Sequence, residues 1–194
     1  MNSGLISSRY AFTLLEYAVA SGQQKEVYTA MKLFSEIFMQ SPPLRRAIQN
    51  VSLALHDKKK IIVTACGNNV PASLDKTIDL ILKNKREEII QYIALRFIEL
   101  YRERYHIQYG KLVTAVPIDP EREEQFISRI QKIVGGKLEV DPVVDPDIIG
   151  GFVLSLGDNR WDASISGELT RIRSKLKGQP EISVINRKND RQYN

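Results

Sequence analysis

Asp141, Asp145, Asp147, Asp158 and Asp162 crowd one stretch of the chain, and with them come Gly150-Gly151, Gly157 and Ser164. Carboxylates at that density are what a magnesium site or a general acid–base pair requires. Most of these aspartates adjoin Pro, Gly or Asn, where the side chain bonds its own backbone and shapes a turn. The glycines fit no phosphate cradle. Gly135-Gly136-Lys137 is followed by Leu138, which breaks the G-x-x-x-x-G-K-[ST] spacing, and no G-x-G-x-x-G opens a helix. Ser164 has the hydroxyl of a nucleophile but no base beside it, so its position after Asp162 reads as a helix cap. Cys66 is the only cysteine, which excludes an internal disulfide and a cysteine zinc site. His56 and His106 are far apart and sit beside helix ends. The expectation is therefore no catalytic site, no metal and no cofactor, with the Asp-rich stretch as an enzyme site the reading of last resort.

What must position these residues is an ordinary globular chain of 194 residues, 43% hydrophobic and 26% charged. The longest apolar runs span only a few residues, too short for a transmembrane helix. Met1 to Tyr10 shows no basic end followed by an apolar core, and Arg9 is the only basic residue before Lys25, so neither a secretory signal nor a transit peptide is expected. The net charge of +5 lies wholly in the first half, with 15 Lys and Arg against 10 Asp and Glu up to His106. A basic half suits nucleic acid, anionic lipid or an acidic protein partner. Its cations are dispersed, and the one run, Lys58-Lys59-Lys60, reads as a solvated first helical turn after Asp57.

The first half reads as all helix. One helix runs to about Gly22, capped by Ser3, Ser7 or Ser8. A second spans about Gln24 to Gln40, with Val27, Met31, Phe34 and Phe38 on one stripe. Ser41-Pro42 opens a short third. Asp57 opens a fourth, Pro71 and Ser73 a fifth ending near Asn84, and a sixth runs from Glu87 to about Tyr105. Short connections imply antiparallel neighbours in a bundle. The period then changes. Lys111–Val116 reads as a strand, Glu121–Val134 as a helix stopped by Gly135-Gly136, and Lys137–Val144 as a second strand. Two more strands follow, and a last helix begins at Ser164, with Ile165, Leu169, Ile172 and Leu176 at i, i+4, i+7, i+11. The fold class is α+β: a six-helix bundle over residues 1–106, a small α/β domain of order β-α-β-β-β-α over 107–178, and a polar tail over 179–194.

The anomaly lies in two helices. A surface helix should show one apolar stripe and one polar face. In the first helix Ala11, Leu14, Leu15 and Ala18 make one stripe, Tyr10, Thr13, Leu14 and Tyr17 an adjacent one, and only Arg9 and Glu16 clearly demand water. In the fifth, Leu74, Ile78, Ile81 and Leu82 face the core while Leu80 lies with Thr77 and Asn84 off that face. Two readings follow: the first helix is central to the bundle, or these helices form a groove that an amphipathic partner helix fills.

Three sets of residues resemble the delta subunit family of the proton-translocating rotary ATP synthase, the oligomycin-sensitivity-conferring protein family. Arg9-Tyr10-Ala11 with Leu14 and Ala18 is similar to its R-Y-A-x-A-L-x-x-x-A opening. Asn84-Lys85-Arg86, followed by Ile89-Ile90 and Phe97, is similar to its N-x-R element. Asp145, Gly150-Gly151, Gly157-Asp158, Asp162, Ser164 and Leu169 match its D-x-x-x-x-G-G…G-D…D-x-S…L pattern. The resemblance spans about Leu5 to Leu176. It implies a non-catalytic stator component in which the helical domain grips the N-terminal helices of an α subunit of the catalytic head. The groove would comprise Tyr10, Thr13, Leu14 and Tyr17 with Thr77, Leu80, Ile81 and Asn84 opposite. It implies that the second domain engages the C-terminal end of the peripheral-stalk b subunits. The protein would sit peripherally on the cytoplasmic face of a bacterial membrane as part of the synthase, with no cofactor and no nucleic acid. Departures are Phe12, where the family often has Lys, and Ser166 and Glu168, where it often has Arg. The alternative from the residues alone is a basic helical nucleic-acid-binding regulator.

Overall fold

The computed structural model describes residues 3–119, 125, 127, 128, 130, 131 and 135–176. The chain divides into two compact units after Tyr105. The first unit holds α1 (Ser3–Ala20), α2 (Gln24–Gln40), α3 (Pro42–Gln49), α4 (Leu55–Ala65), α5 (Ala72–Lys83) and α6 (Ile90–Arg104). Local chemistry sets the breaks. Gly22 takes a left-handed φ of 69° after α1, and the Gln23 amide turns back to the Ala18 carbonyl. At α3 the Ser41 hydroxyl accepts the Leu44 amide, and prolines fill the first helical positions, where no amide is needed. The core gathers Phe34, Phe97, Ile62, Ile78 and Ile93, all essentially solvent-free; each contributes roughly 1.5–3 kcal/mol by leaving water. Tyr28 stacks on Tyr101 with ring centroids 4.0 Å apart, and buried Gln91 donates to Ser35 Oγ at 3.1 Å, tying α6 to α2.

Several sequence expectations change here. Ser7 and Ser8 lie inside α1, and the Ser7 hydroxyl donates to the Gly4 carbonyl within the helix. The segment opening at Glu87 is a 3-10 turn (Glu87–Ile89) that leads into α6. Lys58 is the clearest correction: far from being a solvated first-turn residue, it is 2% exposed. Its ammonium pairs with Glu87, so the charge is buried because a carboxylate from 29 residues further on reaches it. Lys59 does stay near water, where it joins α4 to Asp75 and Asp79 of α5.

The second unit is built on four strands: β1 (Ile107–Thr114), β2 (Lys137–Val144), β3 (Gly151–Leu156) and β4 (Asn159–Ser164). Their order in the sheet is β2-β1-β3-β4. β1 runs parallel to β2, while β3 is antiparallel to both β1 and β4. β1 begins four residues before the Lys111 start expected from its sequence. Gly110 weakens the strand pattern there, yet it is required, because a Cβ would overlap Leu156 of β3. Leu112, Leu138, Leu154 and Leu156 form the core with Ile130. The expected helix over Glu121–Val134 is described only at 125, 127, 128, 130 and 131, which are helical; the rest of it, and the expected tail, lie outside the described residues. The last helix, α7 (Ile165–Leu176), starts one residue after Ser164.

Candidate docking surfaces

α1 and α5 lie side by side and expose one shared face. Two side-chain bonds cross it. Asn84 Nδ2 donates to Tyr10 Oη at 2.9 Å, and Lys76 Nζ donates to Tyr17 Oη at 3.1 Å while lying 5.8 Å from the Tyr17 ring centroid. The pairing places the start of α1 beside the end of α5, so the helices run antiparallel along the face. Leu80 stands on it 48% exposed, with Tyr17 also exposed and Thr13 open to solvent. Thr77 is half-buried, and its hydroxyl donates to the Ser73 carbonyl. Of the eight residues expected to line a groove, Leu14 and Ile81 differ: each is only 1% exposed. They point between the helices and form the floor beneath the face, because each lies about 100° around its helix from the outward line. Of the two readings of the apolar excess in α1, the one that makes it central to the bundle gives way. Leu5 and Phe12 are both more than half exposed, so α1 packs through one side only. Phe12, the departure from the family pattern, is therefore a solvent-facing aromatic.

A second apolar surface lies on the other unit. α7 buries none of its residues. Its stripe of Ile165, Leu169, Ile172 and Leu176 is open to solvent, with Leu169 at 52% exposure. Ile165 packs its tip against Gly150, where any Cβ would collide with it. Beside that contact, Val116, Ile149, Gly150 and Phe152 line a shallow apolar cleft of about 340 Å³. Ile149 holds a φ of 68°, a rare state for a β-branched side chain, and it projects to solvent. The sequence expectation gives this unit the stalk partner without naming the stripe. The i, i+4, i+7, i+11 spacing was visible, but a stripe of that kind ordinarily faces its own core.

The Asp-rich stretch builds turns and a cap. Asp145 Oδ1 accepts the Asp147 amide at 3.0 Å. Gly157 takes φ 55° at the β3–β4 turn, as tight hairpins require. Asp162 Oδ1 accepts both the Ser164 amide at 3.0 Å and the Ser164 hydroxyl at 2.6 Å, and Ser164 Oγ in turn accepts the Gly167 amide at 3.0 Å. Partial burial pushes the Asp162 carboxyl up. The two Ser164 hydrogen bonds, with Arg160 and Arg171 nearby, outweigh that and hold it below the usual range. The Ser164 hydroxyl thus has its proton committed to Asp162 while it caps α7. Cys66 is buried, and burial pushes its thiol up to about 12, far from a reactive thiolate. Among the described residues no group of three or more His, Cys, Asp or Glu could hold a metal ion. None of their helices is long and apolar enough to cross a membrane.

A family model described as ATP synthase delta (OSCP) subunit matches residues 6–176. The chain belongs to that family. Among its relatives, the ATP synthase subunit delta of Bacteroides thetaiotaomicron is 38% identical over 178 residues, covering 91% of this chain and 96% of the relative. That of Flavobacterium johnsoniae is 31% identical, covering 91% and 99%. A chain of the Toxoplasma gondii mitochondrial ATP synthase hexamer, solved by cryo-electron microscopy, shares the fold with a TM-score of 0.60 at 19% identity, covering 90% of this chain and 98% of that one. As a member of the delta (OSCP) family the protein is a structural subunit of ATP synthase with a stator role in the peripheral stalk. Family membership decides between the two readings of the basic first half, in favour of the stator over the nucleic-acid regulator.

Proposed function

We propose that this delta subunit joins head to stalk through the two apolar surfaces just described. The face of α1 and α5 receives the N-terminal helices of an α subunit, with Leu80, Tyr10 and Tyr17 as anchors over a floor of Leu14 and Ile81. The stripe of α7, with Ile149 and Val116 at its end, receives the C-terminal end of the b subunits. Held at both surfaces on the cytoplasmic side of a bacterial membrane, the subunit keeps the head from turning with the rotor. The observation that carries this reading is Leu80: a leucine 48% exposed between two tyrosines on a face bridged from helix to helix. A rigid apolar face costs little to order on binding, which favours a tight, dry contact.

The test is calorimetry of the full-length protein with a synthetic peptide of the α-subunit N-terminal segment. Leu80→Asp should leave the fold intact, because the side chain faces water, and should remove measurable binding. Unchanged affinity would sink the assignment. Pull-down from membranes tests the wider role: α, β and b subunits should co-purify with the delta subunit.

A further inference from the structure

The charges around the α1/α5 face are sorted by sign. These two helices carry three carboxylates, and each is drawn away to a cation on another helix. Glu16 of α1 pairs with Arg104 of α6. Asp75 and Asp79 of α5 both pair with Lys59 of α4, at 2.9 and 2.8 Å. The same two helices carry three cations, Arg9, Lys76 and Lys83, all exposed. Among the described residues none of the three has a carboxylate partner. Lys76 reaches over the face to the Tyr17 hydroxyl and ring. Lys83 follows it about two turns, or roughly 10 Å, further along α5. Arg9 precedes Tyr10, whose hydroxyl meets Asn84 at the Lys83 end of α5. The apolar face thus has a cationic edge at both ends and no free anion to offset it.

We infer that this edge selects its occupant: an amphipathic helix whose apolar stripe is flanked by carboxylates about two turns apart, read by Lys76 at one end and by Lys83 and Arg9 at the other. This rests on the docking reading above and adds the chemistry of the docked segment. Leu80 and the tyrosines hold the complex once formed, whereas the exposed cations act over a longer range and speed encounter. A helix with lysines in place of those carboxylates is rejected by like-charge contact. The two contributions therefore separate kinetically, with the edge governing association and Leu80 governing dissociation.

The experiment measures association and dissociation rates of the full-length protein with the synthetic α-subunit N-terminal peptide, at about 20 mM and about 300 mM NaCl, conditions spanning weak and strong screening. The variants are Arg9→Gln/Lys76→Gln/Lys83→Gln together, Lys76→Gln/Lys83→Gln, and Leu80→Asp, each checked for native circular dichroism. The triple variant should associate about tenfold more slowly at low salt, dissociate within about twofold of the wild-type rate, and match the wild type at high salt. The double variant should fall between them. Association of the triple variant at the wild-type rate in low salt, with Leu80→Asp unable to bind, would overturn the charge selection and leave the docking face standing. Wild-type binding by Leu80→Asp would overturn the docking face and the selection with it.

Discussion

Lys58→Met is the substitution that the sequence and the structure judge most differently. As a solvated residue in a helical first turn, Lys58 would be replaceable at a cost within about 0.5 kcal/mol. In the structure its ammonium is buried against Glu87, and Glu87 Oε2 is itself buried with no partner among the described residues. Removing the cation strands that carboxylate. Breaking a buried pair from one side costs about 3–5 kcal/mol, and because the Glu87 side chain keeps 14% exposure the lower end applies, about 3 kcal/mol. With a urea slope of about 1–2 kcal/mol/M, the midpoint should fall by about 1.5–3 M. Two probes locate the effect. Helix circular dichroism follows the first unit, and the lone tryptophan, Trp161 on β4, reports the second. The dichroism transition should move and the fluorescence transition should stay. Lys58→Met/Glu87→Leu should regain most of the loss, because no charge is then left unpaired. Burial pushes the Glu87 carboxyl up, but the Lys58 ammonium beside it more than compensates and sets it below its ordinary value. A carboxyl depressed in the folded state stabilises fully above its unfolded pKa of about 4.3, and the benefit fades as pH falls through the lower folded value. The gap between wild type and Lys58→Met should therefore narrow below about pH 4. A single-variant cost under about 1 kcal/mol, or no recovery in the double variant, would refute the buried-pair reasoning.

Three further outcomes are expected. Lys85→Gly should stabilise the first unit by about 1 kcal/mol, because Lys85 sits at φ 53° where α5 ends in paired reverse bonds, Arg86 N to Ile81 O and Lys85 N to Leu82 O, both 3.0 Å, and glycine takes that conformation without strain; a melting curve by dichroism checks it. Gly151→Ala should destabilise the second unit by about 3 kcal/mol or more, since Gly151 holds φ 75° and a Cβ would overlap the Ala163 carbonyl across the β3–β4 ladder; Trp161 fluorescence in urea reads the loss. Leu169→Asp should leave both unfolding transitions within about 0.5 kcal/mol of wild type, because the side chain is exposed. It should nevertheless weaken capture of b subunits from membranes, and undiminished capture would remove α7 from the stalk surface.

Periodicity along a chain reports which side of an element is apolar, and that much of this protein was legible. The stripe of α2 was readable because Val27, Met31, Phe34 and Phe38 repeat at helical spacing and do pack inward. The α1 and α5 excess was readable for the same reason, down to Leu80 lying off the core face. Periodicity is silent about what covers a face, and the misreadings follow from that. Leu14 and Ile81 lie on the core stripes of their helices and pack inward as that spacing implies, whereas the groove list implied by the family resemblance set them beside Tyr17 and Leu80, which stay in water. The α7 stripe has the spacing of a core helix, but the four-stranded sheet takes its core from Leu112, Leu138, Leu154 and Leu156, and α7 rests on the edge through Ile165 and Gly150. Lys58 shows the converse: its burial depends on a carboxylate 29 residues away, which no local window contains. In the proposed docking, what covers the α1/α5 face and the α7 stripe is likewise written outside this chain. Under that proposal, an apolar face that its own fold leaves uncovered, on helices whose carboxylates all pair elsewhere, constrains the partner's sequence in its apolar spacing and in the sign of its flanking charges, which this chain's own packing does not require.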